Sequence, residues 1–346
     1  MNCIKILHIG SAGAIMIPFV EFVNQNFTPK EHVFMLNPEK GHSMPESENV
    51  FNLGKLPPEF RYFPRFWGMY RAEKIILHGI FDGRLLFLLM LQPWLLRKCH
   101  WAIWGGDLYD HQLGEKNFKW KIREFFKKHT IRKFGHFITH IRGDYELAKK
   151  WYGAVGKWHD CFMYPSNLHR AYPVTPHPHD GINILLGNSA SSSNNHLAAL
   201  ENLRSFAGDN IKIYCPLSYG DTVYGDEVAE AGKAIFGEKF IPIREFMPFE
   251  NYIKLLSEID VAIFNHNRQQ GLGNITTLLG LGKTVYMRSD TTTWHTLTHM
   301  GLALGDSQSL ELRMLPSETA AANRTIIANR FSERVLINQF RTILED

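Results

Sequence analysis

Short apolar runs of strand length alternate with longer amphipathic runs, and the alternation occurs twice along the chain. In the first half, Ile4–Ile9, His32–Leu36, Lys74–Leu77, Trp101–Trp104 and Phe137–His140 read as strands. Helices are expected after the first of them through Asn26, and then over 84–98, 116–133 and 144–152. Such a chain satisfies its backbone as a parallel sheet covered by helices on both faces. The stretch from Tyr164 to Gly181, rich in Pro and His, interrupts the pattern and reads as a linker. The pattern then restarts with strands Asn183–Leu186, Lys212–Cys215 and Val261–Phe264. Helices are expected over 195–206, 226–236 and 249–258, with another that starts near Gly271–Asn274 and stops at Gly282. The expected class is α/β. Residues 1–164 would form one Rossmann-like doubly wound domain and 182–316 a second, with 165–181 as linker and hinge and 317–346 as a helical tail. Ligands of such sheets bind beyond the carboxyl ends of the strands, so two domains of this kind would face a central cleft. Polar residues at strand ends are therefore the site candidates.

A length of 346 residues allows two domains of ordinary size. Hydrophobic residues make up 45% and charged residues 21%, which fits a soluble globular enzyme. A net charge of +4 is too mild to argue for a nucleic-acid partner. Cys3, Cys99, Cys161 and Cys215 are scattered without a C-x-x-C, so neither a zinc site nor a disulfide framework is expected, and a reducing cytoplasm is the simple reading. The first residues read as a strand rather than a signal peptide. The longest apolar run, Leu85–Leu96, is broken by Gln92 and Pro93 and falls short of the roughly 20 residues a spanning helix needs. Just downstream, Lys116–Lys133 interleaves basic and aromatic residues at helical spacing. That segment is either a solvated face with its aromatics in the core or, with Leu85–Leu96, a surface that touches anionic lipid.

The segment Asp260–Tyr286 carries the most chemistry. It reads as a buried strand, a polar loop, two glycines, a short helix and another strand. A helix start presents free N–H groups and a partial positive charge. Gly271 and Gly273 let the backbone approach an anion, Asn274 lies in the first turn, and Arg268 can grip a phosphate bidentately. Gln269 and Gln270 lie between. The spacing is neither a Walker loop nor G-x-G-x-x-G, so a sugar-nucleotide diphosphate is expected in preference to ATP or NAD. Gly187, Asn188 and Ser189 end the first strand of the second half and begin a loop that runs to His196. The loop is either an anion nest facing Gly271–Asn274 or an ordinary polar loop with an N-cap at Asn194 or Asn195.

In the first half, Trp101–Asp110 reads Trp-Ala-Ile-Trp-Gly-Gly-Asp-Leu-Tyr-Asp. Gly105 and Gly106 permit a tight bend, and Trp104 offers an aromatic face to a sugar ring. Asp107 then sits where a carboxylate accepts a proton from an attacking hydroxyl, hydrogen-bonds a sugar, or caps the next turn. His8 and His78 end strands and are either cleft residues or structural. Asp144 reads as a helix N-cap. No D-x-D occurs, so no metal is expected at a diphosphate site, and no cofactor is implied. An oxidoreductase built on Gly10-Ser-Ala-Gly13 is a weaker alternative, because the full dinucleotide fingerprint is absent. A nonenzymatic binding subunit is the third class.

Three motifs taken together, Trp104–Tyr109, Ile184–Ser189 with Asn194–Ala199, and Arg268–Gly273, resemble the TDP-N-acetylfucosamine:lipid II N-acetylfucosaminyltransferase family. The likeness runs from His78 to about Met287. The resemblance implies a GT-B fold, a TDP-linked 4-acetamido-4,6-dideoxygalactose donor and an undecaprenyl-diphosphate-linked glycan acceptor. It implies peripheral contact with the cytoplasmic face of the inner membrane. It carries Gly187, Asn188, Ser189, Arg268, Gln269, Gln270, Gly271 and Gly273 to the donor side, and Trp104, Gly105, Gly106 and Asp107 to the catalytic lip. Leu278 falls where many GT-B enzymes hold ribose hydroxyls with a glutamate, a departure that suits a deoxyribose donor. Asp107 as base suits inversion, whereas the family's α-linkage suits retention. Within the same fold the alternative is another TDP- or UDP-sugar on a lipopolysaccharide, capsule or exopolysaccharide acceptor.

Overall fold

The computed structural model describes residues 4–346; Cys3 lies outside them. The chain divides into two units, one of residues up to Ser166 together with Glu333–Asp346, the other Asn167–Ser332. In the first, β1 (Ile4–Ala12), β2 (His32–Pro38), β3 (Val50–Asn52), β4 (Ala72–His78), β5 (Cys99–Ala102), β6 (His136–Ile138) and β7 (Lys157–His159) form one sheet. Its order is β3-β2-β1-β4-β5-β6-β7, with all of these strands parallel. In the second, β8 (Ile182–Leu186), β9 (Ile211–Pro216), β10 (Phe240–Ile243), β11 (Val261–Phe264), β12 (Thr284–Met287) and β13 (Gly305–Asp306) are ordered β10-β9-β8-β11-β12-β13, again parallel. In each sheet the order reverses at its first strand. The switch points, where a crevice opens beyond the strand ends, lie between β1 and β4 and between β8 and β11.

Alternation along the strands sorts the core. Leu7, Leu77, Trp101 and Phe137 stand on one face of the first sheet and belong to one buried cluster. His8, Phe34, His78, His100 and His136 occupy the other parity, since successive residues point to opposite faces. On that side the terminal helix Glu333–Glu345 adds Phe340, whose ring meets Phe27 at 5.1 Å and Phe19 at 5.6 Å. Lys74 Nζ also donates to the Ile343 and Leu344 carbonyls at the end of that helix. The segment 317–346, expected as one tail, is thus divided. Helix Ser317–Arg330 stays in the second unit, and Glu333–Asp346 belongs to the first because its apolar stripe Leu336, Phe340, Ile343 is buried there.

The expected helix over 84–98 is two helices, Gly83–Met90 and Pro93–Leu96. Pro93 lacks an N–H and its ring crowds the preceding turn, so the first helix ends before it. The expected strand at Trp101–Trp104 lies two residues earlier, at Cys99–Ala102, because Gly105 turns the chain at φ +75° and a helix, Gly106–Leu113, begins at once. Gly10, offered as a dinucleotide turn, is inside β1 and pairs with Leu36, so no phosphate loop exists there.

Candidate functional site

At the switch point of the second unit, two loops interlock. The β8 loop turns at Gly187, whose φ is +69°; an added Cβ would sit 2.4 Å from His196 Nε2. The Asn188 N–H donates to Asn194 Oδ1 (3.0 Å), and Asn194 Nδ2 donates to Ser189 Oγ (3.2 Å). From the β11 loop, Gln270 Nε2 donates to Asn188 Oδ1 (3.1 Å), and Ser193 Oγ donates to Gln270 Oε1 (2.5 Å). His266 Nε2 donates to Asn194 Oδ1 at 2.9 Å, since an amide oxygen only accepts. Asn188, Ser189, Asn194 and His266 are all buried. The motifs on the two sides of the sequence therefore form one hydrogen-bonded cradle.

The cradle ends at the start of helix Leu272–Gly280. Gly271 precedes it in the left-handed region at φ +67°, which leaves the first N–H groups of the helix without intrahelical partners. No acidic residue lies in that first turn, so nothing competes with an anion. Arg268 is half-buried, and its Nη1 donates to the Gln269 carbonyl at 2.9 Å. Burial, then the charge of Arg268, holds the His266 imidazole down at about 3, so it is neutral. The amide oxygens of Asn267 and Gln269 are buried without a hydrogen-bond partner, two acceptors in want of donors. Gly273 lies within the first turn, and Asn274 accepts from the Tyr252 hydroxyl at 3.2 Å. Leu278 is fully buried.

Sequence reasoning missed Ser193, His266, Tyr219 and Tyr252 in this cradle. Tyr219, which accepts from Asn188 Nδ2 at 3.0 Å, follows β9 and carries no local signal. His266 had one, the run Asn265-His266-Asn267 just past a strand end. The expected N-cap resolves differently from either reading. Asn195 holds the cap position at φ +52° with no side-chain cap bond, and the Asn194 side chain turns inward to the loops instead.

In the first unit, Asp107 is not at an open lip. It is buried, and its Oδ2 accepts from the Ile80 N–H (3.0 Å) and the Trp101 indole (2.7 Å). Its Oδ1 accepts from the Trp104 and Leu108 N–H groups, each at 3.0 Å. Burial raises the carboxyl above its ordinary range, against the pull of Trp101, Lys127 and the backbone donors. All four neighbours are donors, so the ionised form is the one that fits. The carboxylate expected as a base thus ties the β4 and β5 loops together. Gly106 opens the helix that carries it, and Gly105 makes the turn. Asp144 is likewise no N-cap; it is buried and accepts from the Tyr109 hydroxyl at 2.9 Å.

His8 and His78 belong to a buried hydrogen-bonded line. Trp104 Nε1 meets the Tyr164 hydroxyl, which meets His78 Nδ1 at 2.8 Å. His78 Nε2 meets His8 Nδ1, and His8 Nε2 meets His32 Nδ1, both at 3.0 Å. An indole N–H only donates. Trp104 therefore donates to Tyr164, and the tautomers of His78, His8 and His32 set the direction of the bonds beyond it. His32 Nε2 is buried with no partner. Burial holds His78 to about 3 and His32 to about 4. His8, stacked on Phe34 at 4.3 Å and fully buried, is an interior residue. His78 is the last residue of β4 and Trp104 lies two residues past β5, whereas His8 lies inside β1.

Residues 68–326 match the family described as 4-alpha-L-fucosyltransferase, glycosyl transferase group 56. Among solved structures, HepE of Anabaena in complex with UDP superposes with a TM-score of 0.68 at 13% identity, covering 99% of both chains. Sucrose-phosphate synthase of Thermosynechococcus elongatus gives 0.69 at 9% identity, covering 99% of this chain and 98% of that one. A glycosyltransferase from Rickettsia africae gives 0.64 at 12%, covering 100% and 98%. At these identities the likenesses show the fold, which is GT-B.

Proposed function

Because this chain belongs to the 4-alpha-L-fucosyltransferase family of glycosyl transferase group 56 and is a glycosyltransferase, we propose that it moves 4-acetamido-4,6-dideoxygalactose from a TDP-sugar to an undecaprenyl-diphosphate-linked glycan. The observation that carries the donor side is the cradle of Asn188, Ser189, Asn194, Gln270 and Gly271 at the second switch point, beside a helix start and Arg268. HepE, of the same fold, holds UDP, which supports a nucleoside diphosphate in this one. The diphosphate gains charge as the sugar leaves, and helix N–H groups with a guanidinium stabilise that charge without reorganising. The unpartnered oxygens of Asn267 and Gln269 add two free acceptors beside this cradle. Asp107 acts in this reading by fixing the Ile80 and Trp104 loops rather than by taking a proton.

The acceptor's lipid calls for a surface that rests on a membrane, at the cytoplasmic face of the inner membrane. No helix among the described residues is long and apolar enough to cross one. Support comes from helices of the first unit whose outward residues are apolar. Phe63, Trp67 and Tyr70 are exposed at i, i+4, i+7 spacing on helix Tyr62–Arg71, and Phe118, Ile122 and Phe125 repeat that spacing on helix Phe118–Ile131. Phe87, Leu91 and Trp94 are exposed nearby in sequence, and Lys119, Lys121 and Lys128 are exposed around the second stripe. This is the composition of an interfacial surface.

Titrating the purified protein with TDP, UDP, GDP and NAD, with no added metal, tests the donor. TDP binding that Arg268→Ala weakens at least about tenfold, as loss of a charge-assisted pair implies, supports the reading. Preference for UDP moves the donor to another sugar within the same fold, and binding of NAD alone refutes the proposal.

A further inference from the structure

We propose that His100, His136 and His159 form a binding site for one late first-row divalent cation of the zinc class, on the outer strands of the first sheet. The three residues come from neighbouring strands β5, β6 and β7. His100 is directly opposite His136, and His159 lies two residues beyond Lys157, the partner of His136. A two-residue step returns to the same face of a strand, so the parallel register itself gathers three imidazoles. One ring nitrogen of each lies within 4.8 Å of one of each other.

The hydrogen bonds around the rings are those that prepare ligands. His100 Nδ1 donates to the Lys98 carbonyl at 3.1 Å, which leaves Nε2 as a lone pair, and that atom is buried with no partner. His159 Nδ1 faces the Asp346 carboxylate at 3.5 Å, which turns its Nε2 lone pair toward His136 Nδ1 at 2.9 Å. A carbonyl and a carboxylate behind the ligating rings fix tautomer and raise basicity, as outer partners do in metal sites. Burial keeps all three rings uncharged at neutral pH, with His100 near 3 and His159 near 4, so no proton competes with a cation. Of the nearby cations, Lys74 donates to the Ile343 and Leu344 carbonyls, Lys98 to Ala72 and Lys157 to Asp346, while the Lys74 and Lys157 charges still reach the rings. A cavity of about 270 Å³ borders His100, His136 and Asp346 and gives a path from solvent.

His100 and His136 stack at 3.9 Å with planes 3° apart, and two parallel rings cannot both aim in-plane lone pairs at one ion. Binding therefore turns the half-exposed His136 ring and replaces its bond to His159 with a shared ion. Tetrahedral ligation at about 2.0–2.1 Å sets nitrogens roughly 3.4 Å apart, against 2.9 Å between His136 Nδ1 and His159 Nε2 and at most 4.8 Å within the trio. Imidazole donors select zinc, cobalt, nickel and copper over magnesium and calcium.

Chelator-treated full-length protein titrated with Co²⁺ tests this through the visible bands of the ion. One Co²⁺ per chain, displaced by Zn²⁺ and not by Mg²⁺, is expected. His136→Ala, chosen because that ring is half-exposed, should lose about a hundredfold or more in affinity, and Asp346→Asn about tenfold, as for outer partners. Equal affinity in the His136 variant, or no band in the wild type, overturns the proposal. X-ray absorption on the zinc-loaded wild type does not depend on any variant folding. Multiple scattering from imidazoles is expected, and a shell without it also overturns the site.

Discussion

Replacing Asp107 by asparagine separates a structural carboxylate from a catalytic one. Each oxygen of Asp107 receives two donors, Ile80 N–H and the Trp101 indole on one, Trp104 and Leu108 N–H on the other. Asparagine keeps one oxygen and turns the other into an NH₂, which cannot accept. Two buried donors lose their acceptor whichever way the amide is turned. An unsatisfied buried donor costs about 1–3 kcal/mol, so the change destabilises the first unit by roughly 4 kcal/mol. For a unit of this size each kcal/mol shifts the midpoint by about 2–4 °C, which makes the expected drop roughly 10 °C. Thermal unfolding followed beside turnover provides the assay. The same fall in midpoint, with residual activity in the fraction still folded at low temperature, is expected. An unchanged midpoint with activity abolished would refute the argument and return Asp107 to the role of base.

Four further outcomes follow from particular contacts. Tyr164→Phe strips the acceptor from Trp104 and the partner from His78 Nδ1, and should cost about 1–3 kcal/mol in urea unfolding; no loss would show that the hydroxyl does not hold that line together. Gly187→Ala forces a φ of +69° on a residue with a Cβ and drives that atom to 2.4 Å from His196 Nε2, so TDP affinity should fall by about tenfold or more in calorimetry, and unchanged affinity would remove the β8 loop from the donor site. Histidines held near 3 to 4 when folded but near 6.5 when unfolded leave stability intact above pH 6.5 and withdraw it as pH falls toward their folded values, by up to about 1.4 kcal/mol per unit for each of His32, His78 and His266; a urea midpoint that does not move between pH 7 and pH 5 would contradict this. Trp67→Ser with Phe118→Ser should weaken sedimentation with anionic vesicles and leave melting unchanged, because both side chains are exposed, and equal vesicle binding would dismiss the interfacial surface.

What could be read in advance follows from local patterning. The strands at sheet centres, such as β1, β4, β8 and β11, are apolar runs with turn residues after them, and their periodicity announces them. The edge strands β3, β7, β10 and β13 have two to four residues, too few for periodicity to show, and none was anticipated. The cradle was legible as two loops because glycine and asparagine cluster at both strand ends. That Gln270 joins them is a matter of register between β8 and β11, which are separated by about seventy residues, and no local signal encodes it. Asp107 was legible by position, but the sequence shows only a carboxylate after a strand and not the four donors that surround it.

The return of Glu333–Asp346 to the first unit has a consequence for the order in which the protein is made. Synthesis delivers the first sheet at the start, yet Phe340, which lies against Phe19, Phe27 and His32, leaves the ribosome only after the whole second unit. During that interval the face bearing His8, His32 and Phe34 lacks its closing helix, while the second unit has all of its own strands and can finish. The unit that begins first is completed last. A nascent chain halted at Ser332 lacks the helix whose Phe340 packs on that aromatic surface.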